Sequence, residues 1–293
     1  MHIDRDKLAV VLAVASRTGS DYADIFIEEA YTAQIFCEQD RIERVTAGID
    51  AGAGIRVITG ETTAYAYTND LSLDGLKEAA RIAVAAARQQ EGDVTIDLRQ
   101  RHPSFQLPIA IPPETVAIAK KVGVVERVNR TARAADPKVR QVTVSYRDIS
   151  QRVIIANSAG SWVEDERIRT NLSVNVIAIE DDKIQTGYES LGGVIGFELF
   201  QQQNPEELAL RAARRAVRML GARPAPAGRM PVVIAGEAGG TMVHEACGHG
   251  LEADLVQKGI SVYAGKMGQQ VASPLVTVVD DATLPGKFGS FRF

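Results

Sequence analysis

Cysteine is scarce in this sequence. The 293 residues include only two, Cys37 and Cys247. That is too few to staple a disulfide scaffold of this length, and two thiols fit a reducing cytoplasm. A basic excess is missing as well: 33 Lys and Arg stand against 37 Asp and Glu, for a net charge of −4. Phosphate neutralisation needs the opposite balance, so no direct nucleic-acid binding is expected. No apolar run approaches the ~20 residues that cross a bilayer, which speaks against a membrane protein. The nearest imitation of a targeting segment is "LAVVLAVA", Leu8 to Ala15, and it follows Asp4 and Asp6. That flank is not the clean positive one of a signal peptide. Leu8, Val11, Leu12 and Ala15 instead share one stripe of an amphipathic first helix. What is present is ordinary globular composition, 45% hydrophobic and 24% charged, enough for one large domain or two smaller ones.

The order of patterns along the chain predicts an α+β fold, a largely antiparallel sheet with packed helices. After the first helix come strand-like runs, "YADIFIEEA", "TAQIFCEQDRIERVTAG" and "GIRVITGETTAYAYT". Gly60-Glu61 is placed as a tight hairpin turn, and Tyr65 and Tyr67 fall on one face. "GAG" at 52–54 lacks a third glycine and reads as a bulge or turn. "LSLDGLKEAARIAVAAARQQ" reads as a helix with Ser72 as its cap. Four prolines in 98–113 predict an ordered crossing segment, since proline forbids a continuous helix or a central strand. His102 lies there and reads as a surface residue. A helix from about Pro113 to Ala135 carries a polar stripe of Lys120, Lys121, Glu126, Arg127 and Arg130. Then "VRQVTVSYRD" alternates, with Val142, Val144 and Tyr146 on one face. A turn at Asn157-Ser158-Ala159-Gly160 leads into further strands of an antiparallel meander. "PEELALRAARRAVRMLGA" reads as a helix capped by Asn204 and ended by Gly221. Its Arg211, Arg214, Arg215 and Arg218 form a solvated basic face rather than a phosphate patch.

Residues 1–222 are thus expected to form one α+β domain and 223–231, "RPAPAGRMP", a linker. Residues 232–293 then begin a second domain, read as strand, glycine loop, helix, followed by another strand at "SPLVTVVDD". About 60 residues are marginal for an independent core, and the second domain is expected to be incomplete.

Two of only four histidines fall within six residues, in "TMVHEACGHGLEAD". His244 and His249 are five apart. On an ideal α-helix that spacing separates them by about 140°, whereas the i,i+4 pair of H-E-x-x-H shares one face. Both imidazoles reach one metal ion only if the helix widens by a residue, as in a π-bulge, or ends near Gly248. His244 with Cys247, at i and i+3, is an easier soft pair and stays open. Glu245 beside the first histidine is what a hydrolase needs as a base for water, and a structural zinc site has no use for it. Cys247 could instead be a core residue or the nucleophile of a Cys–His hydrolase. "GEAGG" could present backbone N–H groups but lacks the ending of a phosphate loop. Glu252 and Asp254 are candidate partners for imidazole N–H groups, and Asp280 and Asp281 read as turn caps, or less readily as additional metal ligands.

"HEACGHGLEADLVQKG" together with "VVDDATLPGKFGSF" closely resembles the TldD/PmbA family, also called modulators of DNA gyrase. The resemblance extends to the layout of the preceding domain, and the histidine motif is that of the TldD-type chains. It implies a cytoplasmic metallopeptidase acting on unfolded or leader-type peptides. Such a chain works with a TldE/PmbA-like subunit as a heterodimer, or by self-association. By position, His244 and His249 become the metal ligands and Glu245 the catalytic base. The cofactor implied is one divalent metal, zinc first and iron second. The family's third ligand is a cysteine far downstream, so Cys247 becomes a packing residue. This chain is then expected to be C-terminally truncated, to hold metal weakly, and to be inactive alone. The competing expectation is a non-enzymatic peptide- or partner-binding module with a vestigial metal site.

Overall fold

Apolar residues at every second position, sustained over very long stretches, build the sheet. In the computed structural model, which describes residues 3–16, 19–87, 98–101, 108–284 and 287–290, four strands run 17 to 20 residues: β1 (Tyr22–Glu38), β2 (Arg41–Thr59), β5 (Val139–Asn157) and β6 (Ser161–Glu180). With β3 (Thr62–Thr68), β4 (Arg99–Arg101) and β7 (Lys183–Gly193) they form one sheet in the order β3-β2-β1-β5-β6-β4, with β7 also on β6. All pairings are antiparallel except β4 on β6. The α+β reading of a largely antiparallel sheet with packed helices holds.

The buried positions are odd in β1 (Ile25, Ile27, Ile35, Cys37) and even in β5 (Val142, Val144, Tyr146, Ala156). Ile25 pairs with Ala156 and Ile35 with Tyr146, so these residues share one face of the sheet. Helices cover that face in two groups. Helices α1 (Arg5–Ser16) and α2 (Leu73–Ala87) bury Leu8, Leu12, Leu76 and Ala80 against Ile25, Ile55 and Val57. Helices α3 (Ile118–Ala134) and α5 (Pro205–Leu220) bury Val125, Val128, Leu208 and Ala212 against Val144, Leu172 and Val174. A short α4 (Leu199–Gln202) precedes α5.

Local signals account for several boundaries. The Ser72 hydroxyl accepts from Gly75 N–H at 3.1 Å, and the Asn204 side chain accepts from Glu206 N–H ahead of Pro205. The hairpin turns fall at Gly60-Glu61 and at residues 158–160. One turn carried no such signal. Gln39 and Asp40 both adopt positive φ, 48° and 64°, where a glycine or asparagine would normally mark a hairpin. The Asp40 carboxylate accepts from the Asn129 side-chain amide of α3 at 2.6 Å, a tertiary contact that holds the turn.

Several expectations are corrected. Residues 52–54 are neither bulge nor turn but regular β2, paired with β1 throughout and with β3 from Ala53 on. The helix expected from Pro113 breaks into a 3₁₀ turn at Pro113–Thr115, an extended Val116, and then α3. Lys121, placed on the polar stripe, is fully buried. The basic face of α5 is paired in part: Arg211 and Arg215 reach Glu189, and Arg214 reaches Glu207. Around the prolines, Ala110 and Ile111 N–H donate to the buried Glu198 carboxylate. Burial pushes that carboxyl up, but these backbone donors and Gly196 N–H outweigh it and lower it. His102 and the end of the helix expected to reach Gln90 lie outside the described residues.

The chain divides into two compact units, Met1–Ala222 with Ala282–Phe293, and Arg223–Asp281. Residues 223–231 fall within the second of these units and residues 282–293 within the first. There Arg169 Nε donates to the Phe288 carbonyl at 3.0 Å. Arg223–Asp281 contains α6 (Gly236–Val243), α7 (Ala253–Gln257), turns, and no strand among its described residues. The strands expected at "PVVIA" and "SPLVTVV" are irregular. A strand needs a ladder partner, and none is present among the described residues of this unit. None of those residues is buried either.

Candidate metal centre

α6 is a weak helix by composition. Three of its eight residues are glycine, each costing about 1 kcal/mol relative to alanine. Its N-terminus has no side-chain cap. At His244 the winding changes: His244–Gly248 is a π-helical turn, in which His249 N–H donates to the His244 carbonyl. This is the first of the two routes that could reconcile the i,i+5 spacing. In an i→i+5 turn, residue 249 occupies the place that an i+4 residue has in an α-helix. The two imidazoles therefore meet, with ring centroids 4.5 Å apart at 70°. A 3₁₀ turn at His249–Leu251 then ends the helix beyond the second histidine.

His244, Glu245 and His249 form the group of potential metal ligands found among the described residues, each offering an atom within 4.8 Å of the others. All three are exposed. His249 Nδ1 lies 2.7 Å from Glu252 Oε1, and its Nε2 lies 3.6 Å from Glu245 Oε2. A proton on Nδ1 shared with Glu252 leaves the Nε2 lone pair free for a metal, the usual carboxylate–histidine–metal arrangement. Glu252, through that bond and its charge, raises the His249 pKa, with Glu245 adding a smaller push. Two imidazoles and a carboxylate form a donor set that suits zinc or iron.

Other candidates separate from this group. The Cys247 thiol donates back to the Val243 carbonyl at 3.0 Å. It is partly exposed and free, so it is neither a core residue nor a third member of the cluster. Asp254 pairs with Lys258 at 3.2 Å instead of with an imidazole. Asp280 and Asp281 stand outside the cluster. Gly236–Gly240 begins α6 itself, so it forms no loop.

Sequence reasoning did not find the support beneath the motif. The Ser261 hydroxyl donates to the Gly250 carbonyl, and the Tyr263 ring packs on Gly250, where a Cβ would come within 2.8 Å of it. These residues lie in an aperiodic loop, which leaves no pattern to read.

Three family models match the chain: PmbA/TldA metallopeptidase domain 1 over residues 23–87, the central domain over 111–220 and the C-terminal domain over 227–293. A curated "Metalloprotease TldD homolog" of Haemophilus influenzae is 32% identical, aligned over 99% of this chain and 61% of its own length. A "Metalloprotease" of Methanothermobacter thermautotrophicus is 34% identical, over 100% and 63%. The chain thus spans about three-fifths of the curated relatives it matches. Among solved structures, a candidate modulator of a DNA gyrase from Thermotoga maritima superposes with a TM-score of 0.71 at 22% identity, covering 90% of this chain and 59% of that one. TldE from Thermococcus kodakarensis gives 0.68 at 16%, covering 92% and 60%. At these identities the structures establish the fold. The three domain models in order, with the two curated relatives, establish that the chain belongs to the TldD/PmbA metallopeptidase family.

Proposed function

We propose that this chain supplies the metal-holding and water-activating residues of a peptidase that cleaves extended, unfolded or leader-type peptides. The observation that carries the reading is the π turn, which gathers His244, Glu245 and His249 within 4.8 Å. His244 and His249 Nε2 would hold a divalent metal, which when bound acidifies a water and polarises the scissile carbonyl. Zinc is the first choice from the donor set, and a Saccharolobus solfataricus relative at 23% identity is named a zinc metalloprotease. Glu245 accepts the proton of the attacking water and returns it to the leaving amine. Glu252 fixes the ring of His249. Gly240 lies one turn before His244 on the same face. Nothing lies within 4 Å of where its Cβ would be, so a peptide backbone can approach there. The same reading includes a TldE/PmbA-like partner, or a second copy, and a cytoplasmic setting.

Competition with a chromophoric chelator tests metal binding by the chain itself. Zn²⁺ should bind one to one, and His244→Ala or His249→Ala should weaken it about ten-fold or more. Glu245→Gln should keep the metal. In an assembly of this chain that cleaves peptides, the same variant should lower kcat by about 10²–10⁴-fold. Cleavage undiminished by Glu245→Gln would remove its assigned role. A chain that takes up no metal would be the partner-binding module instead.

A further inference from the structure

The sheet face opposite the helices carries a trough that the metal centre does not use. Along β2 the outward positions 52 and 54 are glycines, so the strand has no side chains there. Phe26 and Glu28 stand on one side, on β1, and Tyr65 and Tyr67 on the other, on β3. Asp50 lies at one end, and the space enclosed is about 550 Å³. Tyr65 folds over Gly54, where a Cβ would come within 1.8 Å of the phenol oxygen and displace the ring. Two residues beyond Gly54 along β2, Arg56 pairs with Asp24.

The lining has one chemical character. Tyr65 and Tyr67 are 60% and 83% exposed, so two ring faces are open to a ligand. Glu28 spends one carboxylate oxygen on the Gln151 amide at 2.6 Å. Asp50 is exposed and makes no ion pair or side-chain hydrogen bond among the described residues. Arg56 is neutralised by Asp24, so the trough keeps the charge of two carboxylates. Open aromatic faces beside unpaired carboxylates favour a planar cation, which can stack on a ring and fork to a carboxylate. β3 is also the edge strand of the sheet among the described residues. Its outer backbone groups can take an added extended chain, whose alternate side chains then face the tyrosines.

We infer that this trough is a binding site for an arginine side chain of an extended polypeptide laid along β3. The inference does not rest on the metallopeptidase reading, and its test leaves the metal centre untouched. Isothermal titration of the chain would compare three probes: acetyl-Gly-Arg-Ala-amide, its citrulline counterpart, and free argininamide. Citrulline keeps the shape and removes the charge, so its peptide should bind about ten-fold more weakly, having lost both the cation–π and the ionic contributions. Argininamide should also be weaker, since it cannot add to the strand. Tyr67→Ala and Asp50→Asn should each weaken the arginine peptide about two- to five-fold. Both positions are exposed, and unchanged thermal unfolding would show that the variants fold. Equal affinity for the arginine and citrulline peptides, or no loss in either trough variant, overturns the site. Argininamide binding as tightly as the peptide overturns the polypeptide as its ligand.

Discussion

Lys121 shows how much one side chain can depend on its surroundings. It sits on α3 with no exposure, and its ammonium pairs with the equally buried Asp148. The Nζ also lies 5.2 Å from the Tyr31 ring centroid and 5.9 Å from that of Tyr146, whose hydroxyl donates to Asp148. Removing one member of a buried pair strands the other charge, at about 3–5 kcal/mol. Lys121→Met should therefore lose about that much in a denaturant titration. Asp148→Asn in the same background should recover part of it, because an amide carries no charge yet still accepts from Tyr146. A double variant less stable than Lys121→Met alone would contradict this account. The two thiols differ for a related reason. Cys37 is 1% exposed, and burial, then Asp40, pushes its pKa up. Cys247 is partly exposed. A thiol reagent should titrate one cysteine promptly in the native chain and both after unfolding, and Cys247→Ala should abolish the prompt reaction.

Among the elements, α5 packs on the sheet through small residues. Ala209, Ala212, Ala213 and Ala216 are buried, and the helix comes so close to β7 that a Cβ on Gly187 would stand 2.0 Å from the Ala212 carbonyl oxygen. Gly187→Ala must push the helix away and should cost about 1–3 kcal/mol as an overpacked contact, read as a lower denaturation midpoint with an unchanged m-value. The elements also show what sequence patterns can and cannot convey. Alternation and caps gave the strands, the Gly60 and Asn157–Gly160 turns, and α5. The Gln39-Asp40 turn was hidden because a contact from distant Asn129 holds it, and no periodicity marks the extended residue at Val116. The histidine spacing required a local departure from α-helix and allowed two; only the folded backbone selected the π turn.

At the scale of the whole chain, the two units differ in kind. The first has two apolar clusters on a continuous sheet, whereas no described residue of Arg223–Asp281 is buried. Local opening is cheap where few apolar contacts oppose it. Hydrogen exchange should therefore be slow for the amides of β5 and β6 and near the unprotected rate for most of 223–281. Saturating Zn²⁺ should slow exchange at residues 244–249 specifically, because a ligand that binds the ordered turn stabilises it. Exchange in 223–281 as slow as in β5 would contradict this difference between the two units.

The sequence by itself determined the α+β class, the facing of β5 and the caps of α2 and α5, and it placed two histidines and a glutamate within six residues. Each of these rests on neighbours within a few residues, or on a periodicity that any such segment must obey. The tertiary structure alone decided that Lys121 is buried with Asp148, that Tyr65 closes over Gly54, and that "PVVIA" forms no strand. Those outcomes depend on partners far apart in the chain: a charge accepts burial only beside its counter-charge, and a strand exists only where another pairs with it.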